Sequence, residues 1–333
     1  MIRCGLIGYG YWGPNIARNI QANDDLELAA VCDKSEKNLA RAGKAYPEAR
    51  LTKDAETVLQ APDIDAVAIV TPVWTHYHLA KAALLNNKHI FVEKPFTATS
   101  DQAKELVDLA ESRGLIIMVD HTFLFTGAVR KIKSLVDDDT LGKLYYYDST
   151  RVNLGLFQHD VNVLWDLAPH DLSIIDYLIG KKPDAIVATG QSHLSDLANV
   201  AYLTLYYPEK VIAHVCVNWL SPVKLRSTLI GGERRMLVWN DLEADEKIRI
   251  YDKGVTMTTG EGMYEALVSY RSGDMWSPKI EATEALKLEL GYFAQSINSG
   301  TAPFNDGKAG LRIVEMLEAA ELSLGKVGEP VLL

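Results

Sequence analysis

The first 120 residues alternate short apolar runs with longer helical patterns, a rhythm that restricts this part of the chain to βαβ units around a parallel sheet. Arg3–Gly8, Leu28–Asp33, Ala66–Thr71, His89–Glu93 and Leu115–Asp120 are compact and rich in aliphatic or β-branched residues, as buried strands are. The segments between them repeat apolar residues at three- and four-residue spacing, which places one face of a helix on the sheet. After about residue 140 the texture changes. Leu144–Asn153, Ala185–Ser192, Val200–Tyr207, Val211–Trp219, Ser227–Gly232 and Lys247–Tyr251 follow one another without intervening helices, and several alternate with period two. That pattern predicts a mostly antiparallel, open sheet with one covered face. Helical patterns remain at Leu164–Gly180, Glu284–Ser299 and Ala309–Gly325.

The fold class is therefore α/β, an N-terminal Rossmann doubly wound parallel sheet over residues 1–120, followed by an α+β domain over residues 121–333 with a large open sheet. At 333 residues the chain has room for two cores. Lys and Arg number 34 against 44 Asp and Glu, and the net charge of -10 repels polyanions, so nucleic acid and acidic membrane surfaces are excluded as partners. The three cysteines, Cys4, Cys32 and Cys216, are widely spaced in strand-like runs and read as reduced thiols, neither staples nor metal ligands. With no leader-like start and no apolar run near the ~18 residues of a membrane helix, the expected location is the cytoplasm.

Gly8-Tyr9-Gly10-Tyr11-Trp12-Gly13 fits G-x-G-x-x-G directly after the first strand and opens the helical pattern Asn15–Gln21. The glycines permit a tight turn, close approach of a pyrophosphate and close helix–strand packing; Tyr11 and Trp12 stand in the same turn. Asp33 ends the second strand twenty positions after Gly13, where a carboxylate accepts hydrogen bonds from a ribose diol. Asp33 favours NAD over NADP, while Lys34 and Lys37 leave room for a 2′-phosphate. Thr71-Pro72 and the following His76 lie at the carboxyl end of the next strand, where such sheets bind ligands, with Pro72 expected to keep the chain from running straight into a helix. His76 and His78 have no acidic or thiol partner nearby, so no metal is read there and His76 is a packing or capping residue as readily as a cofactor contact. Glu93-Lys94-Pro95 closes the following strand, and an ammonium there polarises a substrate oxygen, although read singly it is also an ordinary surface turn.

In the second half, Asp166 and His170 are four apart, on one helix face. Imidazole, with an unperturbed pKa near ~6.5, suits removal of a hydroxyl proton. Pro169 favours a helix beginning nearby, with Asp166 as N-cap and His170 in the first turn. A packed, hydrogen-bonded histidine is the alternative for His170 alone.

Gly8–Gly13, Asp33, Thr71-Pro72 with His76, Glu93-Lys94-Pro95 and Asp166-Leu-Ala-Pro-His170-Asp171, in this order and spacing, resemble the glucose–fructose oxidoreductase, inositol dehydrogenase and rhizopine-catabolism (Gfo/Idh/MocA) family over nearly the whole chain. The resemblance implies an NAD(P)-dependent oxidoreductase acting on a sugar or cyclitol carbinol, with Lys94 in the catalytic Glu-Lys-Pro motif and a cis Lys94–Pro95 bond. On that basis Lys94, His170 and Asp166 are the catalytic candidates. Gly8, Gly10, Tyr11, Trp12, Gly13, Asp33, Thr71, Pro72, His76, Glu93, Lys94 and His121 are the cofactor candidates. Lys94, His121, Arg151, Asn153, Asp166, His170 and Asp171 are the substrate candidates. The family's frequent Arg-Phe-x-Pro is replaced by Phe123-Leu-Phe125-Thr-Gly127.

The Gly10–Asn15 turn and the Gly273-Asp274 loop look like branches acting on nucleotide-linked sugars, often at the hexose C3. The Gly/Pro-containing stretch Arg271–Pro278 is read as a loop carrying specificity. A free aldose or inositol, an NAD-dependent glycosidase and a non-catalytic dinucleotide-binding regulator are the other readings. The open sheet face predicts a homodimer or homotetramer.

Overall fold

The computed structural model describes residues 1–155, 161–194, 196–258 and 267–333. They form two compact units, one of Met1–Phe125 with Thr283–Glu318 and one of Thr126–Ala282 with Ala319–Leu333.

The first unit runs β1 (Ile2–Ile7), α1 (Gly13–Gln21), β2 (Leu26–Cys32), α2 (Glu36–Ala45), β3 (Arg50–Thr52), α3 (Ala55–Leu59), β4 (Ala66–Ile69), α4 (Val73–Leu85), β5 (His89–Glu93), α5 (Ser100–Arg113) and β6 (Ile117–Asp120). All six strands are parallel in the order β3-β2-β1-β4-β5-β6, so the order reverses between β1 and β4. A doubly wound sheet opens its ligand crevice at that switch point, beyond the carboxyl ends of the strands. The short β3, exposed at two of its three residues, is not legible as a strand in the sequence.

The second unit runs α6 (Gly127–Asp137), β7 (Leu144–Leu154), α7 (Val163–Ile179), β8 (Ala185–Gln191), β9 (Val200–Tyr206), β10 (Ile212–Asn218), β11 (Leu220–Gly232), β12 (Met236–Asn240), β13 (Ile248–Thr258) and β14 (Leu267–Trp276). The chain then supplies α8 (Ala285–Ser299) and the start of α9 (Gly307–Gly325) to the first unit, and β15 (Val331–Leu332) to the second. The nine strands are ordered β14-β13-β12-β11-β7-β10-β9-β8-β15; every pairing is antiparallel except β10 with β7. Period-two burial sorts the faces: Ala201, Leu203 and Leu205 of β9 and Ala213, Val215 and Val217 of β10 are fully buried, while Tyr202, Tyr206 and Ile212 stand exposed.

Two expectations are corrected here. Residues 283–318 belong with the dinucleotide unit, because Leu286, Leu290, Phe293 and Ala294 bury their apolar stripe in the core of Leu6, Ile16, Phe91 and Met118. Arg271–Pro278 is largely not a loop: through Trp276 it is strand β14, paired with β13, and the Arg235 guanidinium lies 5.3 Å from the Trp276 ring centroid. A glycine in a strand leaves the backbone free to pair, so composition misled there.

Candidate functional site

The cofactor turn is built by exclusion. Gly8 has φ +102°, and a Cβ on it would strike the Val70 carbonyl; a Cβ on Gly13 would strike the carbonyl of Gly8. Gly10 differs, since a Cβ there would meet nothing within 4 Å. Its smallness serves no packing within the protein, as suits a backbone that a pyrophosphate approaches. Pro14 stands at the start of α1, no side chain of the described residues caps the helix, and Asn15 N donates to the Trp12 carbonyl at 2.9 Å. Tyr11 projects into solvent, whereas the Trp12 indole turns inward and donates to Asp120 Oδ2 at 3.0 Å.

Asp33 is fixed as well. Its Oδ2 accepts from Tyr9 N at 2.7 Å and its Oδ1 from Ser35 N at 2.7 Å, with the Asn38 amide at 3.2 Å from both. The carboxylate thereby holds the glycine turn and the start of α2 while remaining partly exposed.

At the ends of β4 and β5 the two candidate loops are tied together. Pro72 is the N-cap of α4, so it leads directly into a helix instead of delaying one. Thr71 Oγ1 lies 2.6 Å from Thr75 Oγ1. His76 is 1% exposed, with Nδ1 2.9 Å from Pro95 O and Nε2 2.7 Å from Thr71 O, and burial lowers its pKa. Both nitrogens are turned to backbone carbonyls, with the ring N–H donating to one of them, so His76 braces the two loops and is enclosed by protein. The Lys94–Pro95 bond is cis, and Glu93 and Lys94 are half-buried.

His121, just after β6, is 2% exposed, and neither ring nitrogen has a hydrogen-bond partner among the described residues. Burial, and then the positive charge of Lys94, hold its pKa down to about 3, so the ring is neutral near pH 7. A buried neutral imidazole with both nitrogens unmatched is suited to meet a ligand's polar groups.

In the second unit, α7 starts one turn earlier than Pro169 suggests. Asn162 is the N-cap, accepting from Leu164 N at 3.0 Å and Trp165 N at 3.2 Å, and Asp166 lies in the first turn and not at the cap. Pro169 sits inside the helix, where it has no N–H to give the Trp165 carbonyl. Asp166 Oδ2 accepts from Trp219 Nε1 at 3.0 Å, and His170, one turn on, is half-buried. Arg151 and Asp171, expected to contact substrate, instead meet each other: Nε to Oδ2 is 2.6 Å and Nη2 to Oδ1 is 3.4 Å, at 6% and 2% side-chain exposure. The pair fastens α7 to β7 directly beside His170. Asn153 is half-buried near the end of β7.

Sequence reasoning missed Trp219, Glu289 and Asn305, and the tie from Trp12 to Asp120. A tryptophan ending an alternating strand was the available signal for Trp219; nothing local marks the others. Among the described residues there is no metal-binding group of side chains, and no helix is long and apolar enough to cross a membrane.

The NAD-binding Rossmann model of the oxidoreductase family matches residues 2–121, and the GFO/IDH/MocA C-terminal domain model matches residues 129–238. The chain belongs to the Gfo/Idh/MocA family. It is 30% identical over 260 residues to the uncharacterized oxidoreductase YdgJ of Escherichia coli, covering 74% of this chain and 73% of that one. It is 26% identical over 322 residues, 94% of each chain, to the UDP-N-acetylglucosamine 3-dehydrogenase of Acidithiobacillus ferrooxidans. A solved structure of that enzyme superposes with TM-score 0.81, at 24% identity over 98% of each chain. The scyllo-inositol 2-dehydrogenase of Bacillus subtilis is 24% identical over 317 residues, 91% of this chain and 88% of the relative. As a member of this family the chain is an oxidoreductase with an NAD-binding Rossmann domain, and its relatives include sugar and inositol dehydrogenases.

Proposed function

We propose that the protein interconverts a secondary alcohol and a ketone on a nucleotide-linked hexose, at C3. The observation that carries this reading is the end-to-end similarity to a UDP-N-acetylglucosamine 3-dehydrogenase, covering 94% of both chains, together with the Asp166/His170 pair on α7.

The nicotinamide, when bound, supplies the hydride acceptor. Gly8, Gly10 and Gly13 admit the pyrophosphate, Asp33 accepts from the ribose hydroxyls, and Tyr11, Trp12, Thr71, Pro72, Glu93 and His121 line the same end of the sheet. Lys94 stabilises the alkoxide that develops as the hydroxyl proton leaves, and His170 takes that proton as general base. Asp166, oriented by Trp219, holds a neighbouring substrate hydroxyl, with Asn153 as a further contact. Arg151 and Asp171 set the position of α7 and so of His170. In the ketone-reducing direction the same imidazole returns the proton. The exposed row Tyr202, Tyr206 and Ile212 suits burial against a second copy of the chain, and a sedimentation coefficient of a monomer at micromolar concentration would refute that.

The test is nicotinamide absorbance with NAD⁺ and NADP⁺ against UDP- and dTDP-hexoses, free aldoses and inositols. Reduction with nucleotide sugars alone supports the reading; turnover confined to free sugars or cyclitols replaces it with a catabolic one.

A further inference from the structure

Three carboxyl groups of the first unit gather beside this machinery, and two of them, Asp120 and Glu289, have no role in the scheme. Glu93 and Asp120 close β5 and β6 as register partners, so their side chains stand on the same face of the sheet. Glu289 reaches the group from α8 and is fully buried. Asp120 accepts from the Trp12 indole at 3.0 Å and from the Thr122 hydroxyl. Glu289 Oε1 accepts from Asn305 Nδ2 at 3.0 Å, and that amide gives its other hydrogen to Val119 O at 2.9 Å. The Asn305 main-chain carbonyl in turn accepts from Val119 N at 3.0 Å, which locks the residue onto β6. Glu289 Oε2 has no hydrogen-bond partner among the described residues, and the polar groups Glu289 faces are the Asp120 carboxyl and the Thr122 hydroxyl. Two carboxyl groups in that arrangement hold together by sharing a proton.

We propose that Glu289 is a positioning residue for the dinucleotide: through a proton shared with Asp120 it fixes the Trp12 indole, and with it the backbone of the Gly8–Gly13 turn. The chain of contacts is Asn305 to Glu289 to Asp120 to Trp12, and each link is the partner the next one needs. The other ionisable groups at the cluster are Glu93 and Lys94, and Lys94 also faces the neutral His121. Burial, then the charge of Asp120, push the pKa values of both Glu93 and Glu289 well above the usual carboxylate range, in keeping with a retained proton. The proposal rests on cofactor binding at the glycine turn and is independent of which sugar is the substrate.

The test is NADH affinity by fluorescence titration, with thermal melts to confirm folding. Glu289→Ala raises Kd about tenfold, the scale of coupling between hydrogen-bonded neighbours, and in Trp12→Phe the same change adds little, because the path to the turn is already cut. Multiplying effects in the double variant, or an unchanged Kd in folded Glu289→Ala, overturn the proposal. A second measurement serves even if the alanine variant does not fold. Glu289→Gln keeps the acceptor for Asn305 and gives Asp120 an N–H that does not titrate, so its Kd rises less with pH than the wild-type Kd, which rises as the shared proton leaves. Identical pH profiles for the two proteins overturn it.

Discussion

The two units bury carboxyl groups in opposite ways. In the second, Asp171 pairs with the Arg151 guanidinium at 2.6 Å, both side chains almost fully enclosed. In the first, Glu93 and Glu289 both stand against Asp120, Lys94 faces Glu93, and burial pushes Glu93 and Glu289 toward the neutral form. An ion pair secures position by charge and is indifferent to pH across the ordinary range. A carboxyl cluster secures position by a proton and is sensitive to pH. The unit assigned the base thus fixes its buried carboxyl group by charge, and the dinucleotide unit fixes its own by a proton.

The sharpest break in this comparison is functional. His170→Ala, on α7, lowers kcat by about 10²–10⁴-fold and leaves NADH affinity as it was. Asp33→Ala does the reverse, weakening NADH binding while kcat at saturating cofactor holds. Steady-state kinetics with fluorescence titration separate the two, and a shared loss of both properties would dissolve the division of labour.

Next in size is the buried pair. Arg151→Met strands Asp171 and costs about 3–5 kcal/mol in urea denaturation, and adding Asp171→Leu restores much of that. Strictly additive losses would show that the two residues do not act as a unit.

Smaller again is the pH response of the first unit. Folding holds the Glu93 and Glu289 pKa values above their ordinary 4.5, so their contribution is complete below pH 4.5 and is lost as pH rises beyond it. His121, held at about 3 against an ordinary 6.5, acts the other way, its contribution complete above pH 6.5 and lost as pH falls. Melting temperature therefore declines more steeply in wild type than in Glu289→Gln between pH 6 and 10; equal slopes would contradict this. Least is Arg18→Ala. Its pair with Glu284 at 2.6 Å leaves both side chains about half exposed, and thermal melts register a loss of no more than ~1 kcal/mol.

The dinucleotide motif was readable because each of its parts is local: a turn that only glycine permits, a strand before it and a carboxylate at the end of the next strand. The Glu-Lys-Pro turn and the helix face of Asp166 and His170 were readable for the same reason. What escaped is long-range. Trp12 meets Asp120 across 108 positions, and Trp219 meets Asp166 across 53. Arg151 and Asp171 carry charges that look like ligand contacts in one dimension, and only their burial shows that they satisfy each other. Strand β14 was hidden by glycine and serine, since edge pairing depends on backbone and needs little from side chains.

From the sequence alone came the βαβ order, the switch to an alternating sheet, the glycine turn, the family and the side chains able to move a proton, all of them encoded in periodicity or contiguous motifs. Only the tertiary structure decided that α8 returns to the dinucleotide unit and brings Glu289 onto Asp120, that His76 is a brace, and that His121 is neutral. The reason is that burial sets charge and partner, and burial belongs to the folded chain and to no local stretch of it.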